Sequence, residues 1–78
     1  NKERDIAKNL YKSILEKTAN FINIKDVFVA KDYNSSFEIL SILLFLHIKI
    51  ILEKKYKNSK VINDHLIEYY LQEKECPL

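Results

Sequence analysis

An all-α fold, a small bundle of about three helices around a hydrophobic central helix, is what this sequence predicts. Three observations lead there. The chain has 78 residues and no glycine, so the residue that most easily makes hairpin turns is missing and an all-β fold is disfavoured. Apolar residues recur at spacings of three and four in the first and last thirds, which is helical periodicity. Between them lies the run FEILSILLFLHIKIIL, apolar on most faces, as in a helix that is buried.

The first helix is expected from Glu3 to Ala19. Ile6, Ala7, Leu10, Tyr11, Ile14, Leu15 and Ala19 share one face, and Lys2, Arg4, Lys8, Lys12 and Lys17 fall largely on the other. Asn1 is placed to cap its start. From Asn20 to Ser36 the period breaks. Phe21, Ile22, Ile24, Val27, Phe28 and Val29 fit neither helix nor strand, so this segment reads as a loop docked on the core, with a short strand at Val27 to Val29 as the alternative.

The second helix follows Asn34, Ser35 and Ser36. Ser35 and Glu38 have the Ser-x-x-Glu spacing of a capping box. The apolar run extends from Phe37 to Leu52 and gives way to EKKYK, whose cations suit the negative end of the helix dipole. Glu38, Ser41, His47 and Lys49 interrupt the run, and an uncharged span of ~20 residues is not reached. It therefore reads as a buried helix in preference to a membrane span. The third helix is expected from Ser59 to Glu73, capped by Asn58 or Ser59. Its apolar side is Ile62, Leu66, Tyr69 and Tyr70, with Val61 at the margin and Asp64, Glu68 and Gln72 facing out.

Composition narrows the function. Seventy-eight residues make a single domain, 1–78, that buries only ~60% of its unfolded surface, so a partner is a reasonable expectation. Without glycine there is no phosphate-binding loop and no nucleophile elbow. No methionine is present, which reads as a processed product or a fragment. The leading NKERDIAK has no apolar signal-peptide core, so secretion is not expected. Lysine occurs twelve times and arginine once, which weakens any reading that needs arginine forks on nucleic acid. The net charge of +2 is too small to imply a polyanion partner. Cys76 is the single cysteine, so no internal disulfide and no thiolate metal site follow, and a reducing compartment is expected.

Residues that can carry chemistry are few. His47 lies between Leu46 and Ile48 and reads as a packed core histidine. His65 neighbours Asp64, but adjacent helical residues diverge by about 100° and do not converge on one ion. Ser13, Ser35, Ser36, Ser41, Ser59 and Cys76 have no base and orienting group beside them in any known pattern. No enzyme, cofactor, metal or small-molecule substrate is expected.

Charge is uneven along the chain. Residues 53–60 hold four lysines and one glutamate, and residues 61–78 hold four acids and one lysine. Lys54, Lys55, Lys57 and Lys60 read as a solvated helix end, as a guide to an anionic membrane surface, or as an RNA contact, such as a ribosome surface, with Tyr56 stacking on a base. Tyr11, Tyr33, Tyr56, Tyr69 and Tyr70 read as core rim or as partner anchors.

The order of residues from Leu10 to Leu52 resembles the first half of the ubiquinol–cytochrome c chaperone domain, a family of assembly factors for the cytochrome bc1 complex. Leu10, Tyr11 and Ile14 match its first helix. Phe37, Glu38, Ile39 and Leu40 match the aromatic, acid and paired leucines that follow its polar turn. Phe45, Leu46 and Lys49 match the continuation. The chain departs from the family pattern at Ser35-Ser36, Leu43, Phe28 and Ala30, and the family's glycine-rich closing motif is absent. The resemblance implies a truncated chaperone domain. Its role would be non-enzymatic: binding cytochrome b or another respiratory-complex subunit, in the cytoplasm or on the mitochondrial matrix side, peripheral to the inner membrane. Tyr11, Phe37, Phe45 and Tyr69 are the expected anchors, with Lys54, Lys55 and Lys57 as electrostatic guides. The alternative is a helical interaction or regulatory module that self-associates to hide the surplus apolar surface of the second helix. A nucleic-acid binder ranks below both.

Overall fold

A computed structural model describes residues 1–24, 33–54 and 57–75, with side chains at 1–21, 36–54 and 57–72. It contains three helices, α1 (Lys2–Ile24), α2 (Tyr33–Lys54) and α3 (Ser59–Glu75), and among the described residues no strand. All three pack on one another. The expected all-α bundle is what forms. The Cα atoms extend 40 × 25 × 15 Å, a long dimension in keeping with α1 and α2, whose 23 and 22 residues rise ~33–35 Å.

Asn1 caps α1 as its position predicts. Its Oδ1 accepts from the Arg4 backbone N–H at 3.2 Å, and its carbonyl accepts from the Asp5 N–H at 3.1 Å. Glu3 and Asp5 stand in the first turn, where the dipole favours acids. The helix then runs to Ile24, five residues past the expected end at Ala19. Loss of apolar periodicity was the reason to stop there, but periodicity reports burial and not helicity. Phe21 is half-exposed on a helix that no glycine or proline interrupts.

The start of α2 also differs from expectation. Tyr33 and Asn34 are already helical, so Ser35 lies inside the first turn and is not the cap that its spacing to Glu38 suggested. Asn and Ser cost only a few tenths of a kcal/mol in a helix, too little to force a boundary. The strand alternative at Val27 to Val29 lies outside the described residues, as do Lys55, Tyr56, Cys76 and Pro77.

The turn into α3 is made by Asn58, whose φ of 63° is left-handed. Glycine normally takes this conformation. In a chain without glycine, asparagine is the side chain that tolerates it best. The Asn58 carbonyl accepts the first α3 bond from Ile62 N–H at 3.0 Å. Its side chain does not cap the helix but donates to Glu3 Oε2 at 2.9 Å, tying the α3 start to the α1 start. Ser59 Oγ donates back to the Ile51 carbonyl at 3.3 Å.

The core is built from all three helices: Ala7, Tyr11 and Ile14 of α1, Leu40, Leu44 and Ile51 of α2, and Ile62 and Leu66 of α3. Ile14, Leu44 and Leu66 are wholly buried. α2 contacts both other helices, but the most extensive packing is between α1 and α3. The bundle is therefore a triangle in which apolar α2 occupies one corner, where two neighbours cover part of its surface and the rest faces out.

Polar groups link the helices at their rims. Ser41 Oγ donates to the Phe37 carbonyl at 2.8 Å and accepts from the Tyr70 hydroxyl, joining α2 to α3. His47 donates from Nδ1 to the Leu43 carbonyl at 2.7 Å, which leaves Nε2 to accept from Lys17 Nζ at 3.3 Å, joining α2 to α1. Arg4 of α1 is influenced by Tyr69 and Glu68 of α3. The Tyr69 hydroxyl, then the Glu68 charge, hold its guanidinium above the ordinary value. Asn63 is buried; its Nδ2 donates to the Ile48 carbonyl at 3.4 Å, and its Oδ1 has no hydrogen-bond partner among the described residues.

Candidate protein-binding surface

The outer face of α2 carries Ile42, Phe45, Leu46, Ile50 and Leu52, each about half exposed, from 49% for Ile50 to 61% for Ile42. At ~100° per residue these positions spread over one side of the helix. Burying a half-exposed side chain of this size is worth roughly 1 kcal/mol. The five together leave several kcal/mol available to whatever covers them. Glu38, Lys49 and Glu53 are exposed on the same side, so charged side chains stand among the apolar ones, Glu38 towards the amino end and Lys49 and Glu53 towards the carboxyl end.

The seven residues expected to bind a partner are separated by the fold. Tyr11 is a correction. Only 7% of it is exposed, it belongs to the core, and its ring lies 5.8 Å from that of Tyr69. The leucine-tyrosine pair places it on the apolar side of α1, and α3 covers that side. Phe37 and Tyr69 are partly buried and packed against the core. Phe37 stacks on Tyr70 with centroids 4.9 Å apart and planes at 18°. Of the four aromatic anchors only Phe45 stands out on the surface, 56% exposed, with its ring tilted against Tyr70 at 5.9 Å. Lys54 and Lys57 are exposed near the carboxyl end of α2, and Lys55 lies outside the described residues.

Sequence reasoning missed Ile42, Leu46, Ile50 and Leu52 as surface residues. A signal for them existed: α2 is apolar nearly all round, and two neighbouring helices cannot cover a whole helix circumference. Which apolar residues stay outside depends on how the neighbours sit.

Three of the polar side chains that raised the question of chemistry, Ser41, His47 and His65, have partners within the fold. Ser41 is committed to Phe37 and Tyr70. His47 is a partly buried link between α1 and α2, in keeping with the packed histidine expected there. His65 lies 3.6 Å from Glu68 Oε1, one turn along α3, and not beside Asp64, which pairs with Lys60 at 3.5 Å. Among the described residues no three metal-ligating side chains converge, and no helix is long and apolar enough to cross a membrane. A face of this kind can be covered by an apolar segment, helical or extended.

No family model, curated protein or solved structure matches this chain.

Proposed function

We propose that this chain is a non-enzymatic binding protein that captures an apolar segment of a protein partner on the outer face of α2, and that the partner is a respiratory-complex subunit, cytochrome b in the first instance, held during assembly of the cytochrome bc1 complex. The observation that carries the binding reading is the run of half-exposed apolar side chains on α2 in a domain with a small core. The largest apolar patch on a monomeric domain is often a functional one. The choice of partner is supported by the likeness of Leu10, Tyr11, Ile14, Phe37, Glu38, Ile39, Leu40, Phe45, Leu46 and Lys49 to the chaperone family.

In this reading Phe45, Ile42 and Leu46 are the anchors. Tyr11, Phe37 and Tyr69 act behind them by holding α2 in place through the aromatic packing at Tyr69 and Tyr70. Lys54 and Lys57 lie beside the face, where they steer an acidic partner, an anionic bilayer surface or a ribosome that presents the nascent subunit. The work is peripheral to a membrane, on the cytoplasmic or matrix side.

Crosslinking in cells that assemble a bc1 complex tests this. A photoreactive residue at Phe45 is expected to capture a bc1 subunit, and Leu46→Glu with a probe at Ile42 is expected to lose it while helical content stays unchanged. Capture of no bc1 subunit, in an assay where a longer family member does capture one, overturns the choice of partner.

A further inference from the structure

The outer face of α2 is ordered in charge as well as apolar, and that order suits one occupant. Glu38, Ile42, Phe45, Leu46, Lys49 and Glu53 are all exposed. At ~100° per residue their directions fall within one stripe of the helix surface. The acid near the amino end and the lysine near the carboxyl end stand ~16 Å apart along the axis. The two apolar residues nearest the midpoint, Ile42 and Phe45, are symmetric about a point between Leu43 and Leu44.

We propose that this stripe pairs with the same stripe of a second copy of the chain, antiparallel, about a twofold axis that passes between the two α2 helices, level with the Leu43–Leu44 peptide. In that register Glu38 of each copy faces Lys49 of the other. Ile42 of each copy meets Phe45 of the other, and Leu46 and Ile50 close the flanks. Glu53 falls beyond Glu38 of the second copy and stays one turn from its own Lys49. Antiparallel packing also opposes the two helix dipoles.

The alternatives do less well on the same residues. A parallel pair stacks Glu38 on Glu38, Lys49 on Lys49 and Glu53 on Glu53, and like charges placed together are unfavourable. A bilayer surface would take Lys49 and Glu53 into the middle of the buried side, whereas interfacial helices keep their charges on the opposite side. The five half-exposed apolar side chains present on the order of 400 Å² per copy. With the stems of Glu38 and Lys49 the pair buries about 1,000 Å² in total, the lower end of specific interfaces. An interface of that size fits a weak, reversible dimer.

This pairing is a property of the chain alone and holds whichever partner the face takes. Where the partner reading also holds, the dimer is the resting form, and capture of a subunit starts from its dissociation. The test uses the purified full chain in sedimentation equilibrium across a micromolar concentration range. Wild type is expected to shift from monomer to dimer over that range. Phe45→Glu is expected to remain monomeric with unchanged far-UV circular dichroism, and Leu46→Gln serves instead if helix is lost. Glu38→Lys alone and Lys49→Glu alone each weaken the dimer by roughly tenfold, and the double exchange restores it to within about threefold. A chain that stays monomeric throughout, or a dimer indifferent to the change at Phe45 or Leu46, overturns the pairing. A double exchange that recovers nothing overturns the antiparallel register.

Discussion

Leu44 and Leu46 sit two residues apart on α2, and their surroundings are opposite. Leu44 is wholly enclosed by α1 and α3, while Leu46 is half in water. The same contrast separates Tyr11, inside the α1–α3 seam, from Phe45, on the outer face of α2. Residue type cannot tell these pairs apart. What differs is how many neighbours each one has, and in a triangle of three helices every helix has a covered side and an open side. The covered sides carry the stability. The open side of α2 is where the proposed binding falls, because its apolar side chains still gain from being covered.

The sharpest way to break this comparison is to truncate each member. Leu44→Ala is expected to cost ~2–5 kcal/mol and Tyr11→Ala a similar ~3–5 kcal/mol, because each leaves a cavity in a fixed shell. In a domain whose whole stability is of order 5 kcal/mol, either change unfolds much of the population, visible in urea titrations followed by circular dichroism. Leu46→Ala is expected to stay within ~0.5 kcal/mol of wild type. Phe45→Ala is expected to lose no more than ~1 kcal/mol, from its contact with Tyr70. Equal costs at Leu44 and Leu46 would mean that the two sides of α2 are not as different as the fold makes them.

A smaller effect tests the turn that lets α3 reach α1. Asn58→Ala is expected to cost ~1–2 kcal/mol, since alanine resists a left-handed backbone, and it also loses the bond to Glu3. Asn58→Gly keeps the backbone and loses only that bond, so its melting temperature should lie between alanine and wild type. Smaller again is the rim bond between α2 and α3. Tyr70→Phe removes the hydroxyl that donates to Ser41 and keeps the stacking on Phe37; ~1 kcal/mol is expected from chemical denaturation. At the bottom of the range is Lys60→Ala. Its ion pair with Asp64 is fully on the surface, and thermal melts in low and high salt should agree with wild type within the ~0.5 kcal/mol of an exposed pair.

Much of the fold was legible before any coordinates. Ile14 and Leu66 lie on the periodic faces of α1 and α3 and are wholly buried, and Asn1 caps α1 as its type and place imply. Helix ends were less legible. Phe21 broke the apolar period without breaking the helix, and Ser35 carried a cap pattern inside one. The site was legible only as a surplus: α2 holds more apolar surface than two neighbours can cover. Tyr11 and Phe45 looked alike as anchors, and nothing local to either says that one lies under α3 and the other lies open.

The sequence by itself therefore determined the number and kind of elements. Helical periodicity, the absence of glycine and the lack of proline inside the helices are local properties, and local hydrogen bonding answers to them. The left-handed turn at Asn58 belongs partly to this group, since in a chain without glycine few residues can make it. The tertiary structure decided which side of α2 is inside. Burial depends on the positions of distant helices and on how closely α1 and α3 pack on each other. With α1 and α3 packed on each other, α2 takes one corner of the bundle, and Ile42, Phe45 and Leu46 face out.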